Sequence, residues 1–122
     1  MRVLVSGRAE GPVVVLEEGL SFWGGFDPSS GRIVDRSHPQ YGETLSGKIV
    51  WMSHGRGSSS SSSVLAESLR LGTGPAAIIL GEPDQILVVG SLVAKMLYEV
   101  TCPIWVADRS EWPIDHEELG MR

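Results

Sequence analysis

The sequence predicts one α/β domain, strand-rich in its N-terminal half and alternating helices with strands in its C-terminal half. Three observations carry that prediction. Short β-branched segments punctuated by glycine turns occupy the first half of the chain. Two segments with apolar residues at three- and four-residue spacing follow. A short apolar run of buried-strand type comes after each of them. At 122 residues, 42% apolar and 20% charged, the chain has the composition of one globular domain, read as 1–122 with a core of 1–108 and a C-terminal tail.

Val3–Val5 and Val13–Leu16 are the first two strands, separated by the turn-like Glu10-Gly11-Pro12. Leu20-Ser21-Phe22-Trp23 is a third, running into Gly24-Gly25. The polar stretch from Asp27 to Gly42 reads as excursions from a scaffold rather than as an added core layer. Loops of this length are usually functional or disordered, and the aromatic and charged residues favour function. Lys48–Met52 is a strand that runs directly into His54-Gly55-Arg56-Gly57 and six serines, Ser58 to Ser63. Leu65, Leu69 and Gly72 then share a helical face with Val64 and Ser68 beside it. Glu67 and Arg70 sit on its flank, and Gly72 supplies the stop. Ala76–Leu80 is a buried-type strand. Gln85–Val100 reads as helix from the recurrence of Ile86, Val89, Val93, Met96 and Leu97, with Gly90 interrupting the pattern. Ile104–Val106 closes a strand–helix–strand unit, and Trp112–Arg122 shows no period.

Several function classes are excluded by arithmetic. With 10 basic and 15 acidic residues the formal charge is −5, which argues against a nucleic-acid-binding surface. No apolar run approaches the ~20 residues of a membrane span, and no secretory h-region follows Met1. Cys102 is the only cysteine, so there is no internal disulfide and no four-thiolate zinc site. The chain has no Asn and hence no N-glycosylation site. A cytoplasmic protein that binds neither nucleic acid nor membrane is the expectation.

Alone, a serine run reads as a linker. Its flanks favour a different reading, because a strand enters it and a helix begins inside it. Glycines let the backbone bend sharply and approach a ligand. Helix-start amides lack intrahelical partners, and serine hydroxyls add donors and caps. The product is an anion site for a carboxylate or phosphate. Arg56 either grips that anion bidentately or is a solvated turn residue. The loop is not a Walker P-loop, since Ser58 follows Gly57 where Lys is required. Neither is it a nucleophile elbow, and Ser60 stands at the third glycine position of a dinucleotide turn.

Other candidates are fewer. Trp23 beside Gly24 is a pocket wall or partner contact as much as a core aromatic, whereas Phe26 reads as core. Tyr41 stands out in the same excursion. Asp35 and His38 either orient a ligand or serve turns, with Asp35 capping beside Arg36. Cys102 reads as a buried small hydrophobe, and one thiol cannot hold a cluster that takes three or four. His38, His54 and His116 lack a short metal-ligand spacing, so no metal site is expected in the chain.

Phe22-Trp23-Gly24-Gly25-Phe26-Asp27-Pro28, Gly31-Arg32-Ile33-Val34-Asp35, His38-Pro39, Gly42-Glu43 and Gly55-Arg56-Gly57-Ser58-Ser59 resemble, in order and spacing, the small swivel-domain subunit of the aconitase X hydro-lyases. Pro75-Ala76-Ala77-Ile78-Ile79 continues the likeness, which covers residues 6 to 106. The resemblance implies a swivelling β/β/α domain, paired with or fused to a large subunit, with the active site between them. It implies dehydration of a hydroxy acid, with an iron or iron–sulfur centre in the large subunit and a swivel-domain serine as base. Ordinary aconitases carry G-x-G-S-S-R-E at this turn, which maps the basic serine onto Ser58, or onto Ser59 if the loop is shifted by one. Ser60 and Ser61 replace the Arg-Glu pair, and Arg56 is the candidate for the missing arginine. Gly57, Ser59, Ser60, Trp23 and Gly24 are expected to line the substrate site. The pure serine run points toward cis-3-hydroxy-L-proline ahead of (R)-5-phosphomevalonate. A non-catalytic carboxylate- or phosphate-binding module and a purely structural subunit are the competing readings.

Overall fold

The computed structural model describes residues 1–115 and 117–121. A six-stranded sheet in the order β1-β7-β6-β5-β2-β8 organises the chain. Its strands are β1 (Arg2–Val5), β2 (Ala9–Val15), β5 (Ile49–Met52), β6 (Ala77–Leu80), β7 (Ile104–Val106) and β8 (Glu118–Met121). The four central strands, β2, β5, β6 and β7, are mutually parallel, and antiparallel β1 and β8 form the edges. A two-stranded hairpin, β3 (Phe26–Asp27) with β4 (Arg32–Ile33), stands apart. Helices α2 (Ser61–Leu71) and α3 (Gln85–Tyr98) connect β5 to β6 and β6 to β7, as the sequence predicts.

The central strands are buried on both faces, which explains their continuous apolar composition. Val14, Leu16, Val50, Met52, Ile78, Leu80 and Ile104 point to the helical side, where they meet Leu65, Leu69, Leu87 and Ala94. Val13, Ile49, Trp51, Ala77 and Ile79 point the other way. The C-terminal segment covers that second side. Trp112 packs edge-on against Trp51 at 5.7 Å, and β8 pairs with the start of β2.

Four sequence expectations are corrected here. Glu10-Gly11-Pro12 is not a turn but part of β2, held straight by its pairing with β8. Leu20–Trp23 is not a strand. Phe22–Gly25 is instead a single irregular helical turn, α1, in which Trp23 is extended (φ −85°, ψ 116°) and Gly24 left-handed (φ 84°). The polar excursion does contribute to the core, because Ile33 within it is fully buried on the helical side of the sheet, beside Phe22, Phe26 and Leu45 from its two flanks. Finally, the apolar spacing on α3 identifies the helix but not its inward face. Leu87, Gly90, Ser91 and Ala94 are the buried positions, while Val89, Met96 and Leu97 are exposed.

The reason is the closeness of α2 and α3. A Cβ at Gly90 would lie 2.8 Å from the Ser62 carbonyl oxygen, and the Ser62 Oγ donates to the Ile86 carbonyl at 2.6 Å. Small residues therefore face the partner helix and larger ones face outward. Asp84 caps α3 by accepting from the amides of Ile86 and Leu87. Among the described residues no helix is long and apolar enough to cross a membrane.

Candidate functional site at the serine loop

The parallel strands β2 and β5 are neighbours in the sheet, so their carboxyl ends lie side by side, and ligands in open α/β sheets bind outside the carboxyl ends of the strands. Two segments leave from there: Leu16–Gly25 after β2 and Ser53–Ser60 after β5. They are stitched together. The Arg56 amide donates to the Leu20 carbonyl at 3.1 Å, and Ser21 and Arg56 form a parallel bridge. Gly57 has φ +99°, and a Cβ there would fall 2.2 Å from the Ser21 Oγ, so only glycine fits. The Trp23 amide donates to the Ser61 Oγ at 3.2 Å, tying α1 to the start of α2.

The serine block divides in two. Ser61 and Ser62 are internal, their hydroxyls engaged with Trp23 and Ile86. Ser58, Ser59 and Ser60 are exposed in the turn before α2. The Ser60 amide donates to the Ser58 Oγ at 3.3 Å, and the amides of Ser61 and Ser62 donate to the carbonyls of Ser58 and Ser59. Two expectations change accordingly. Ser60, at the N-cap, makes no side-chain cap bond, and the amides of Ser60 to Ser62 are occupied within the loop rather than free for an anion. What faces solvent is a set of hydroxyls beside an exposed guanidinium.

Arg56 lies between two acids. Its Nη1 is 3.5 Å from the Glu18 Oε1, with both side chains half-exposed. Asp35 is held below the usual carboxylate range, first by the Ser37 hydroxyl and amide, with Arg56 adding a smaller pull. Its oxygen Oδ1 accepts both Ser37 bonds, so Asp35 does cap its turn. His38 is 5% exposed and turned inward. Its Nδ1 accepts from the Gln40 amide at 3.0 Å, leaving Nε2 to donate to the Glu18 carbonyl at 3.1 Å. Neither ring nitrogen is left for a ligand. Trp23, by contrast, is 59% exposed beside Gly24, and Tyr41 is exposed too, while Phe26 is core as expected.

The donor set does not suit iron. Cys102 is fully buried, and burial pushes its thiol up to about 12. Among the described residues no three His, Cys, Asp or Glu side chains are grouped to hold a metal ion. His116 lies outside the described residues.

The aconitase X swivel-domain family matches residues 1–116. This chain belongs to that family. The swivel domain is 48% identical over 103 residues to a cis-3-hydroxy-L-proline dehydratase of Pseudomonas aeruginosa, covering 84% of the chain and 18% of that protein. It spans less than a fifth of that dehydratase. It is 40% identical over 93 residues to the phosphomevalonate dehydratase small subunit of Methanothermobacter thermautotrophicus, covering 76% of the chain and 71% of the subunit. Its fold superimposes on Thermococcus kodakaraensis aconitase X, holo-form, with a TM-score of 0.86 at 29% identity, covering 98% of this chain and 86% of that one. The resemblance drawn from the motifs and the mixed α/β class are thereby established.

Sequence reading did not single out two residues that adjoin the Arg56 turn, Glu18 and Ser21. The motif beginning at Phe22 pointed to the neighbourhood of Ser21. Nothing in the sequence pairs Glu18 with Arg56, because only the adjacency of β2 and β5 brings them together.

Proposed function

We propose that this chain is the small, swivel part of an aconitase-X-type hydro-lyase, active when joined to a large subunit that completes the site and holds the iron or iron–sulfur centre. Ser58 is the base that removes the proton from the carbon next to the one losing hydroxide. Arg56 binds the substrate carboxylate, with Gly57, Ser59, Ser60, Trp23 and Gly24 forming this chain's wall of the site. Asp35 and His38 act indirectly, by holding the turns that flank Arg56.

One observation carries the choice of Ser58. Among the exposed serines of the turn, Ser58 to Ser60, it is the one whose Oγ accepts a backbone N–H, from Ser60 at 3.3 Å. The Ser61 oxygen also accepts an amide but is buried against Trp23. A serine hydroxyl is hardly ionised near neutrality, so a base of this type needs donors aimed at its developing charge. An N–H directed at that oxygen favours the alkoxide, and the Arg56 guanidinium in the same loop adds positive charge. Among the described residues no backbone N–H donates to the Ser59 hydroxyl. The exposure of Trp23 supports its role as a surface that meets the large subunit.

Identity is higher to the hydroxyproline dehydratase than to the phosphomevalonate subunit, which favours cis-3-hydroxy-L-proline as substrate. Mixing the purified chain with its large subunit tests the reading. Dehydration of cis-3-hydroxy-L-proline is expected from the complex alone, with the isolated chain colourless and inactive. Iron or dehydratase activity in the isolated chain contradicts it, and activity on (R)-5-phosphomevalonate alone replaces the substrate.

A further inference from the structure

We infer that Glu18 is a built-in stand-in for the substrate carboxylate, occupying the Arg56 guanidinium until substrate displaces it. The inference rests on the reading of Arg56 as the carboxylate-binding residue. Arg56 does not need Glu18 to stay in place. Its amide is bonded to the Leu20 carbonyl, and its backbone bridges to Ser21. The stem lies in the space left open by Gly19, where a Cβ would sit 3.0 Å from the Arg56 Cγ and 2.4 Å from the His54 carbonyl oxygen.

Glu18 is held from the other side, because its carbonyl receives the Nε2 of buried His38. Its carboxylate comes no closer to Arg56 than 3.5 Å, Oε1 to Nη1, and does not make the short two-bond fork of a strong Arg–carboxylate pair. Both side chains are half-exposed, so the pair is weak and exchangeable. An incoming carboxylate that makes the short two-bond fork replaces a long contact with a better one. Among the described residues Arg56 is ion-paired with Glu18 and not with Asp35, whose Oδ1 is turned to the Ser37 amide and hydroxyl.

The test is a double-mutant cycle in the reconstituted complex, following KM and kcat for whichever of cis-3-hydroxy-L-proline and (R)-5-phosphomevalonate it turns over; both carry a carboxylate. Glu18→Gln is expected to lower KM by about two- to five-fold, the range of an exposed ion pair, with the change residing in KM rather than kcat. Glu18→Asp should restore KM toward wild type. In an Arg56→Gln background, Glu18→Gln should no longer move KM. If Glu18→Gln raises KM or leaves it unchanged while Arg56→Gln raises it, the stand-in role is overturned and the Arg56 reading survives. If Arg56→Gln itself leaves KM unchanged, that reading fails and takes this inference with it.

Discussion

The backbone N–H of Trp23 donates to the side-chain oxygen of Ser61 at 3.2 Å, joining the irregular turn α1 to the first residue of α2. Ser61 is buried and its hydroxyl is the acceptor, so its removal strands a part-buried amide. Such a loss typically costs about 1–2 kcal/mol. Ser61→Ala is therefore expected to lower the unfolding free energy measured in urea by that amount, whereas Ser63→Ala, at an exposed position of the same run, stays within about 0.5 kcal/mol of wild type. Equal behaviour of the two variants contradicts the division of the serine block into internal and exposed halves.

The phase of α3 makes a second contrast. Met96 is 81% exposed although it belongs to the apolar repeat, and Ala94 is fully buried. Met96→Lys should cost no more than about 0.5 kcal/mol, while Ala94→Leu should cost about 1–3 kcal/mol by overpacking the helix–sheet contact. Chemical denaturation of the two variants reads this directly, and the reverse order means that the helix is rotated.

Cys102 gives the pH dependence. Burial raises its thiol from an ordinary value near 9 to about 12, so the folded chain keeps a proton that the unfolded chain releases. The stabilising effect is complete below about pH 9 and is lost progressively as pH rises from there toward 12. Unfolding midpoints measured at pH 8 and pH 10.5 should fall with pH in the wild type and fall less in Cys102→Ala. Iodoacetamide should label the native thiol slowly at pH 8 and the unfolded one readily. Rapid native labelling contradicts the buried assignment.

Most strands and both long helices were legible because their signals are local. Val13 to Val15, Ile49 to Met52 and Ala77 to Leu80 carry apolar runs that fit only a sheet covered on both faces, and Gly72 ends α2 as expected. What escaped depended on partners distant in the chain. Glu10-Gly11-Pro12 has turn composition and is overridden by β8. The inward face of α3 is chosen by the close approach of Ser62 to Gly90, which no hydrophobic period reveals. At the site, composition pointed to Arg56, Gly57 and the serines. It gave no sign that the turn's own carbonyls take up the amides of Ser61 and Ser62, or that Glu18 sits on the guanidinium.

Arg56→Lys keeps the charge but loses the planar fork. In the assembled enzyme this variant should raise KM well above its effect on kcat, since the lost interaction binds the ground state and the transition state alike. A fall in kcat with KM unchanged places Arg56 in the chemical step instead.

Turnover by Ser58→Ala in the complex with the large subunit tests the central claim most directly. Ser58 is exposed, and its hydroxyl bonds only within its own turn, so folding and assembly should survive the substitution. General-base catalysis contributes about 100-fold or more, and kcat should fall by at least that factor while substrate still binds. Ser59→Ala should lose far less. Full turnover by Ser58→Ala, or an equal loss in Ser58→Ala and Ser59→Ala, contradicts the assignment of the base to Ser58.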